Sequence, residues 1–181
     1  MKVVNLFAGP GAGKSTTGAM LYGMLQLAGY AAEYVPEFAK VLTWQNHTTA
    51  LKDQLYLFAK QDHRLEVLRG QPLDFVIMDG PLLNAAMYVQ GDYFKNFEPL
   101  VVEVFNSYDN ANFFLERNRS KKYQRAGRSQ DSEQAAQLCD QIRTFLDRYQ
   151  IPYTRVPVTD RCHEEIFTML TGRSWPVPPA S

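Results

Sequence analysis

Short, wholly apolar runs alternate along this chain with longer segments whose apolar residues recur at helical spacing. Residues 2–8 (KVVNLFA) form the first run and predict a buried strand that ends on a glycine-rich stretch. Residues 14–29 place Met20, Leu21, Met24 and Leu25 on one stripe and predict a helix. A second strand is predicted over 31–35 (AAEYV), closed by Pro36. Residues 49–69 predict a long helix buried through Leu51, Leu55, Leu57, Phe58, Leu65 and Leu68 and ended by Gly70. Strands follow at 74–79 (DFVIMD), 111–116 (ANFFLE) and 153–158 (YTRVPV). Helices are predicted over 93–107, with Phe97, Val101, Val104 and Phe105 in register, over 132–149 and over 162–171. The last residues, GRSWPVPPAS, are proline-rich and predict an extended tail.

Strands that alternate with helices pair in parallel through right-handed crossovers. The predicted fold class is therefore α/β, a three-layer arrangement around a five-stranded parallel sheet. No internal repeat or linker interrupts it, so residues 1–172 are expected to be one domain and 173–181 a tail. In such sheets ligands bind beyond the carboxyl ends of the strands. Every motif described below falls there.

Composition narrows the picture. Apolar residues make up 45% and aromatic residues 13% of the 181 positions, which suffices for a packed core. The formal net charge is zero, which weighs against a wholly electrostatic nucleic-acid binder. Cys139 and Cys162 are too few for a disulfide framework or a zinc site and are expected to be free thiols. No apolar run approaches the ~20 residues of a membrane span, so no membrane partner is expected. The apolar N-terminus turns straight into a glycine loop instead of a cleavage region. A cytoplasmic protein is the expectation.

The most specific chemistry lies in Ala8-Gly9-Pro10-Gly11-Ala12-Gly13-Lys14-Ser15-Thr16, which has P-loop spacing with Ala8 where the strict pattern has glycine. Glycines let the backbone curl so that several N–H groups face one anion. A helix starting at Lys14 aims its positive end at the same point. The expected ligand is ATP with Mg²⁺, held by Gly9, Gly11, Ala12, Gly13, Lys14, Ser15 and Thr16. Lys14 can reach the β- and γ-phosphates, and the Ser15 hydroxyl can hold the metal.

Two strand-end acids complete the candidate chemistry. Asp79 closes FVIMD and can orient Mg²⁺ or polarise the acceptor; a solvated turn aspartate is the other reading. Glu37, in Val35-Pro36-Glu37-Phe38, follows the second strand and can act as general base; a surface acid at a helix start is the alternative. Glu33, inside the strand, competes with it but is less well aimed. On the 49–69 segment, Gln54 and Gln61 are seven apart and share a face, and Gln61 and Arg64 are neighbours. They can recognise an acceptor, or simply solvate a helix. Phe38, Trp44 and Phe58 can stack on a flat ring or pack as ordinary core.

Residues 117–128 carry six cations and no acid: Arg117, Arg119, Lys121, Lys122, Arg125 and Arg128. A basic segment there, about 117–130, can close as a lid whose arginines stabilise transferring phosphate. Arg125 and Arg128 are the catalytic candidates, and Arg117 is a candidate for binding ATP. A solvated loop, or a patch tracking a nucleic-acid backbone with Tyr123 stacking on a base, would have the same composition.

These motifs together resemble the small P-loop kinases. Val35-Pro36-Glu37, with Trp44 further on, is similar to deoxyribonucleoside kinases, whose glutamate is the base; nicotinamide riboside kinase domains are also similar. Asp79-Gly80-Pro81-Leu82-Leu83 and Gly127-Arg128-Ser129-Gln130 resemble virus-encoded P-loop kinases, some of which phosphorylate hydroxymethyluracil and related hydroxymethyl-pyrimidines within DNA. The resemblance implies strand order 2-3-1-4-5 and transfer of the γ-phosphoryl group to a hydroxyl. The acceptor would be a nucleoside, a nucleotide or DNA carrying a modified base. If the chain is virus-encoded, the host cytoplasm is its place. A homodimer is left open. The competing reading is a P-loop ATPase or switch with no small-molecule acceptor. No Asn-Lys-x-Asp segment follows the fourth strand, which disfavours a GTPase, and a large ring ATPase would carry a second helical domain.

Overall fold

A computed structural model of the chain describes residues 1–89, 91–116 and 132–176. The elements in order are β1 (Lys2–Phe7), α1 (Lys14–Leu27), β2 (Ala32–Val35), α2 (Phe38–Trp44), α3 (Thr48–Lys52), α4 (Gln54–Glu66) and β3 (Phe75–Met78). They continue with α5 (Asn84–Met87), α6 (Phe97–Asn106), β4 (Asn110–Glu116), α7 (Ser132–Arg148), β5 (Thr154–Pro157) and α8 (Cys162–Thr171). Among the described residues the strands form one five-stranded sheet of order β2-β3-β1-β4-β5. All four pairings are parallel.

The central strands β1, β3 and β4 are largely apolar on both sides because both faces of the sheet are covered there. The edge strands β2 and β5 keep exposed polar residues such as Glu33 and Arg155. Successive side chains point to opposite faces. Val3 and Phe7 of β1, Val76 and Met78 of β3 and Phe114 of β4 pack with residues of α4 to α7, including Leu65, Ala85, Val101 and Phe145. Val4, Leu6, Ile77 and Leu115 pack instead with Leu21 and Leu25 of α1 and Ile166 and Phe167 of α8. The buried Asn5 keeps its amide paired across to the next strand, donating to Asn110 Oδ1 at 2.8 Å and Asn112 Oδ1 at 3.0 Å. A polar residue inside an apolar strand is tolerated when its hydrogen bonds are made.

The structure departs from the sequence pattern in four places. The expected 49–69 helix is broken at Asp53 (φ −83°, ψ 85°), whose carboxylate accepts from Tyr56 N at 3.0 Å and so starts α4 afresh. The break turns Leu55 outward, where it is 44% exposed, while Leu57, Phe58 and Leu65 stay buried. Met20, expected on the buried stripe of α1, is likewise exposed. The short helices α2 and α5 give too few turns for a periodic signal. The start of the tail returns to the body: Trp175 packs edge-on to Phe167 with ring centroids 5.6 Å apart. Residues 177–181 lie outside the described residues. No helix among the described residues is long and apolar enough to cross a membrane.

Candidate active site

β1 ends at Phe7 and α1 begins at Lys14, so the glycine loop spans the gap at the carboxyl edge of the sheet. Gly11 (φ 78°) and Gly13 (φ 95°) take left-handed backbone that a side chain would strain. Gly13 is also the residue before α1, and no side chain caps that helix. The free N–H groups of its first turn can therefore face an anion. Lys14 Nζ donates to the Ala8 carbonyl at 3.0 Å, which lays its stem across the loop. Gly9 N donates to Cys139 Sγ of α7 at 3.2 Å, a support for the loop that nothing in the sequence announces. Both cysteines are free thiols.

Ser15 and Asp79 meet beside this loop. Ser15 Oγ donates to Asp79 Oδ2 at 2.7 Å, and Lys40 Nζ of α2 donates to Ser15 Oγ at 3.4 Å. Asp79 is 2% exposed, and its Oδ1 is buried with no hydrogen-bond partner among the described residues. A buried, unsatisfied carboxylate oxygen beside a hydroxyl fits a hard cation such as Mg²⁺, which takes oxygen ligands and keeps several waters. Among the described residues no cluster of three acids, histidines or cysteines could hold a metal. A metal here would depend on Ser15, Asp79 and the phosphates of a nucleotide. The Tyr34 hydroxyl is held well above its usual range by burial and by the negative charge of Asp79.

Glu37 is the residue on which α2 starts, placed between β2 and that helix. Its carboxyl is pushed above the usual carboxylate range by burial, Lys14 and Lys40 pulling it down and Asp79 up. Three hydrogen bonds from two side chains fix the backbone on either side of it. Gln61 Oε1 accepts from Phe38 N at 3.0 Å, Gln61 Nε2 donates to Pro36 O at 3.4 Å, and Arg64 Nη1 donates to the same carbonyl at 3.0 Å. The Arg64 guanidinium also lies 4.9 Å from the centroid of the Phe38 ring. From the other side Gly80 packs so closely that a Cβ there would lie 2.8 Å from Glu37 Cγ.

The loop, Glu37, α2 and α4 line a cavity of about 410 Å³. Gly11, Gly13, Lys14, Ser15 and Thr16 contribute the loop's part of the lining, Glu37 and Lys40 its charged groups, and Phe38, Leu57, Phe58 and Gln54 a largely apolar part. Asn84, which opens α5, and Tyr88, the residue just after it, also line the cavity. Burial and the charge of Glu37 push the Tyr88 phenol up to about 12.

The predicted residues are distributed unevenly around this cavity. Phe38, Gln54, Phe58 and Gln61 line it. Gln54 spends its amide nitrogen on Leu51 O at 3.0 Å, and both ends of the Gln61 amide go to the backbone around Glu37. Gln61 and Arg64 thus brace the turn that carries Glu37, and Gln61 also lines the cavity. Trp44 is 65% exposed and lies outside the cavity lining. It sits six residues after Phe38 on α2, about 240° around the helix, so both cannot face the site. Ala12 is 3% exposed, its methyl packed in the core while its backbone stays in the loop. Glu33 is exposed on β2. Arg117, Tyr123, Arg125, Arg128 and the whole lid expectation of about 117–130 lie outside the described residues.

Sequence reasoning missed Lys40, Asn84 and Tyr88. Lys40 was marked only by its place one turn after Glu37, and the other two by four-residue spacing just after Asp79-Gly80-Pro81.

A family model described as an AAA domain matches residues 3–164. A search of curated proteins finds no match. Among solved structures, deoxyadenosine kinase from M. mycoides with the products dCMP and dCDP is 19% identical, with a TM-score of 0.57, covering 95% of this chain and 99% of that one. The same kinase with dATP bound gives 19% identity and a TM-score of 0.56 over 93% and 98% of the two chains. At that identity the likeness concerns the fold, a P-loop α/β sheet.

Proposed function

The chain belongs to this AAA-domain family, and on that premise we propose that it is an ATP-dependent phosphotransferase acting on a hydroxyl of a nucleoside or nucleotide. The observation that carries the reading is the shared cavity: the phosphate loop, the aromatic side chains Phe38 and Phe58, and the Glu37 carboxyl with its raised pKa all line it. A hydrolase needs room only for water. A cavity of about 410 Å³ lined by Phe38 and Phe58 has room for a ring-bearing acceptor.

The residues divide the work as follows. The loop amides and the α1 N-terminus hold the triphosphate, and Lys14 neutralises its β- and γ-phosphates. Glu37 accepts the proton of the acceptor hydroxyl as that oxygen bonds to the γ-phosphorus, while the bond from phosphorus to the β–γ bridging oxygen breaks and ADP leaves. A carboxyl held above its ordinary range suits a base working near neutral pH. Mg²⁺, held by Ser15 and Asp79, would supply charge neutralisation on the phosphates. Arg125 and Arg128, with Arg117 on the nucleotide, are proposed to close over the phosphates.

Deoxyadenosine kinase shares the fold, and its name fits the same acceptor class. The hydroxymethylated-DNA acceptor suggested by the viral resemblance is tested alongside. ATP consumption is measured with free nucleosides, nucleotides, plain DNA and hydroxymethylated DNA in parallel. The expected result is ADP formation that depends on one acceptor class. An equal slow rate with every acceptor would make the chain an ATPase or switch.

A further inference from the structure

Lys40 has no part in the function proposed above, yet its position is specific. It lies three residues after Glu37 across the first turn of α2, so both side chains can reach the same side of that helix. Both line the cavity. The ammonium hydrogen-bonds, among the described residues, only to Ser15 Oγ at 3.4 Å. Lys40 is exposed, yet its ammonium reaches across from α2 to the first turn of α1 instead of extending into solvent.

The electrostatics of the site call for such a cation. A nucleoside triphosphate brings several negative charges to a cavity that Glu37 already lines and whose Ser15 is bonded to the buried Asp79. A carboxylate that must approach the terminal phosphoryl group is repelled by it unless a cation stands between them. Lys14 approaches from the loop, with its Nζ on Ala8 O. Lys40 approaches from α2, the helix that starts at Glu37 and carries Phe38. The two ammonium groups therefore reach the cavity from different elements, one of them resting on Ser15.

We infer that Lys40 is a second phosphate-binding cation, contacting the γ-phosphoryl oxygens of the bound triphosphate while that group passes to the acceptor. This rests on the phosphotransferase reading. Lys40 changes no bond and moves no proton; it stays an ammonium ion. Its contact strengthens as charge spreads over the phosphoryl oxygens and is lost once the group has left, so ADP does not use it.

The test compares Lys40→Met, Lys40→Arg and wild type for affinity toward ADP and toward a non-hydrolysable ATP analogue, and for turnover. Thermal melts confirm that each variant is folded. Lys40→Met is expected to lose about tenfold in analogue affinity with ADP affinity unchanged, and about a hundredfold in kcat. Lys40→Arg should recover most of both. Lys14→Ala, the control, should weaken both nucleotides. If Lys40→Met binds analogue and ADP in the same ratio as wild type, the inference is overturned. The two readings fail separately. Wild type that binds both nucleotides but shows no acceptor-dependent turnover sinks phosphotransfer, while a changed ratio in Lys40→Met still supports the γ-phosphate contact. Wild type that binds neither nucleotide overturns both.

Discussion

Ser15 and Asp79, 64 residues apart in sequence, are joined by a hydrogen bond of 2.7 Å from the serine hydroxyl to Asp79 Oδ2. The bond ties the start of α1 to the end of β3, and it leaves Asp79 Oδ1 buried without a partner among the described residues. Two strands that pair side by side make this meeting unavoidable: Asn5 of β1 is in register with Met78 of β3, the residue before Asp79.

Removing the hydroxyl tests the metal assignment. Ser15→Ala is expected to raise the Mg²⁺ concentration needed for half-maximal turnover by ~10–100-fold. Metal-free ADP binding should be unaffected. A Mg²⁺ titration superimposing on that of wild type would remove Ser15 from the metal site.

Glu37 offers two independent readouts. Glu37→Gln should bind ATP normally and lose ~10²–10⁴ in kcat, and in wild type the acid limb of kcat should lie above the ordinary carboxylate range. The stability effect has the opposite sign from that of a salt-bridged acid. The folded-state pKa is raised, so the folded chain holds this proton more tightly than the unfolded chain does. The carboxyl contributes stability that is present below its unfolded pKa and is lost as pH rises through its folded pKa. The glutamine variant should therefore gain melting temperature relative to wild type as pH rises from the ordinary carboxylate range through the raised folded-state pKa. A difference that stays flat with pH would contradict the raised pKa.

Gly80→Ala probes the close packing behind the base. The added methyl would meet Glu37 Cγ at 2.8 Å, so the carboxylate must shift. A displacement of about 1 Å costs roughly 10²-fold in rate. Turnover should fall by that order with ATP affinity retained. Wild-type turnover would mean that the position of Glu37 does not matter.

Gln61 is expected to act through the Glu37 turn rather than through an acceptor. Gln61→Leu leaves Phe38 N and Pro36 O without their side-chain partner, although Arg64 still reaches the carbonyl. Loss of about 1–3 kcal/mol in denaturant unfolding is expected, together with a lower kcat. An effect confined to the acceptor KM, with unchanged stability, would restore Gln61 to acceptor recognition.

Much of this was legible in the chain itself. Apolar runs mark the central strands β1, β3 and β4, because a sheet covered on both faces leaves its inner strands little polar surface. The glycine loop is local in the same sense: Gly11 and Gly13 specify their own backbone, and Lys14 and Ser15 follow at once. Trp44 shows the opposite case. The resemblance put it in the acceptor wall, and the angular spacing along α2 turns it to solvent. Gln61 and Arg64 were found as a neighbouring pair, but their partner, the turn at 36–38, comes from another part of the chain.

The sequence alone therefore determined the alternation of strands and helices and the anion-binding loop, since both follow from spacing and backbone freedom within a few residues. Tertiary structure decided that Glu37 lines the same cavity as the loop, that burial raises its pKa, and that Lys40 reaches Ser15. Those outcomes depend on burial and on the approach of elements distant in sequence, and a one-dimensional pattern carries neither.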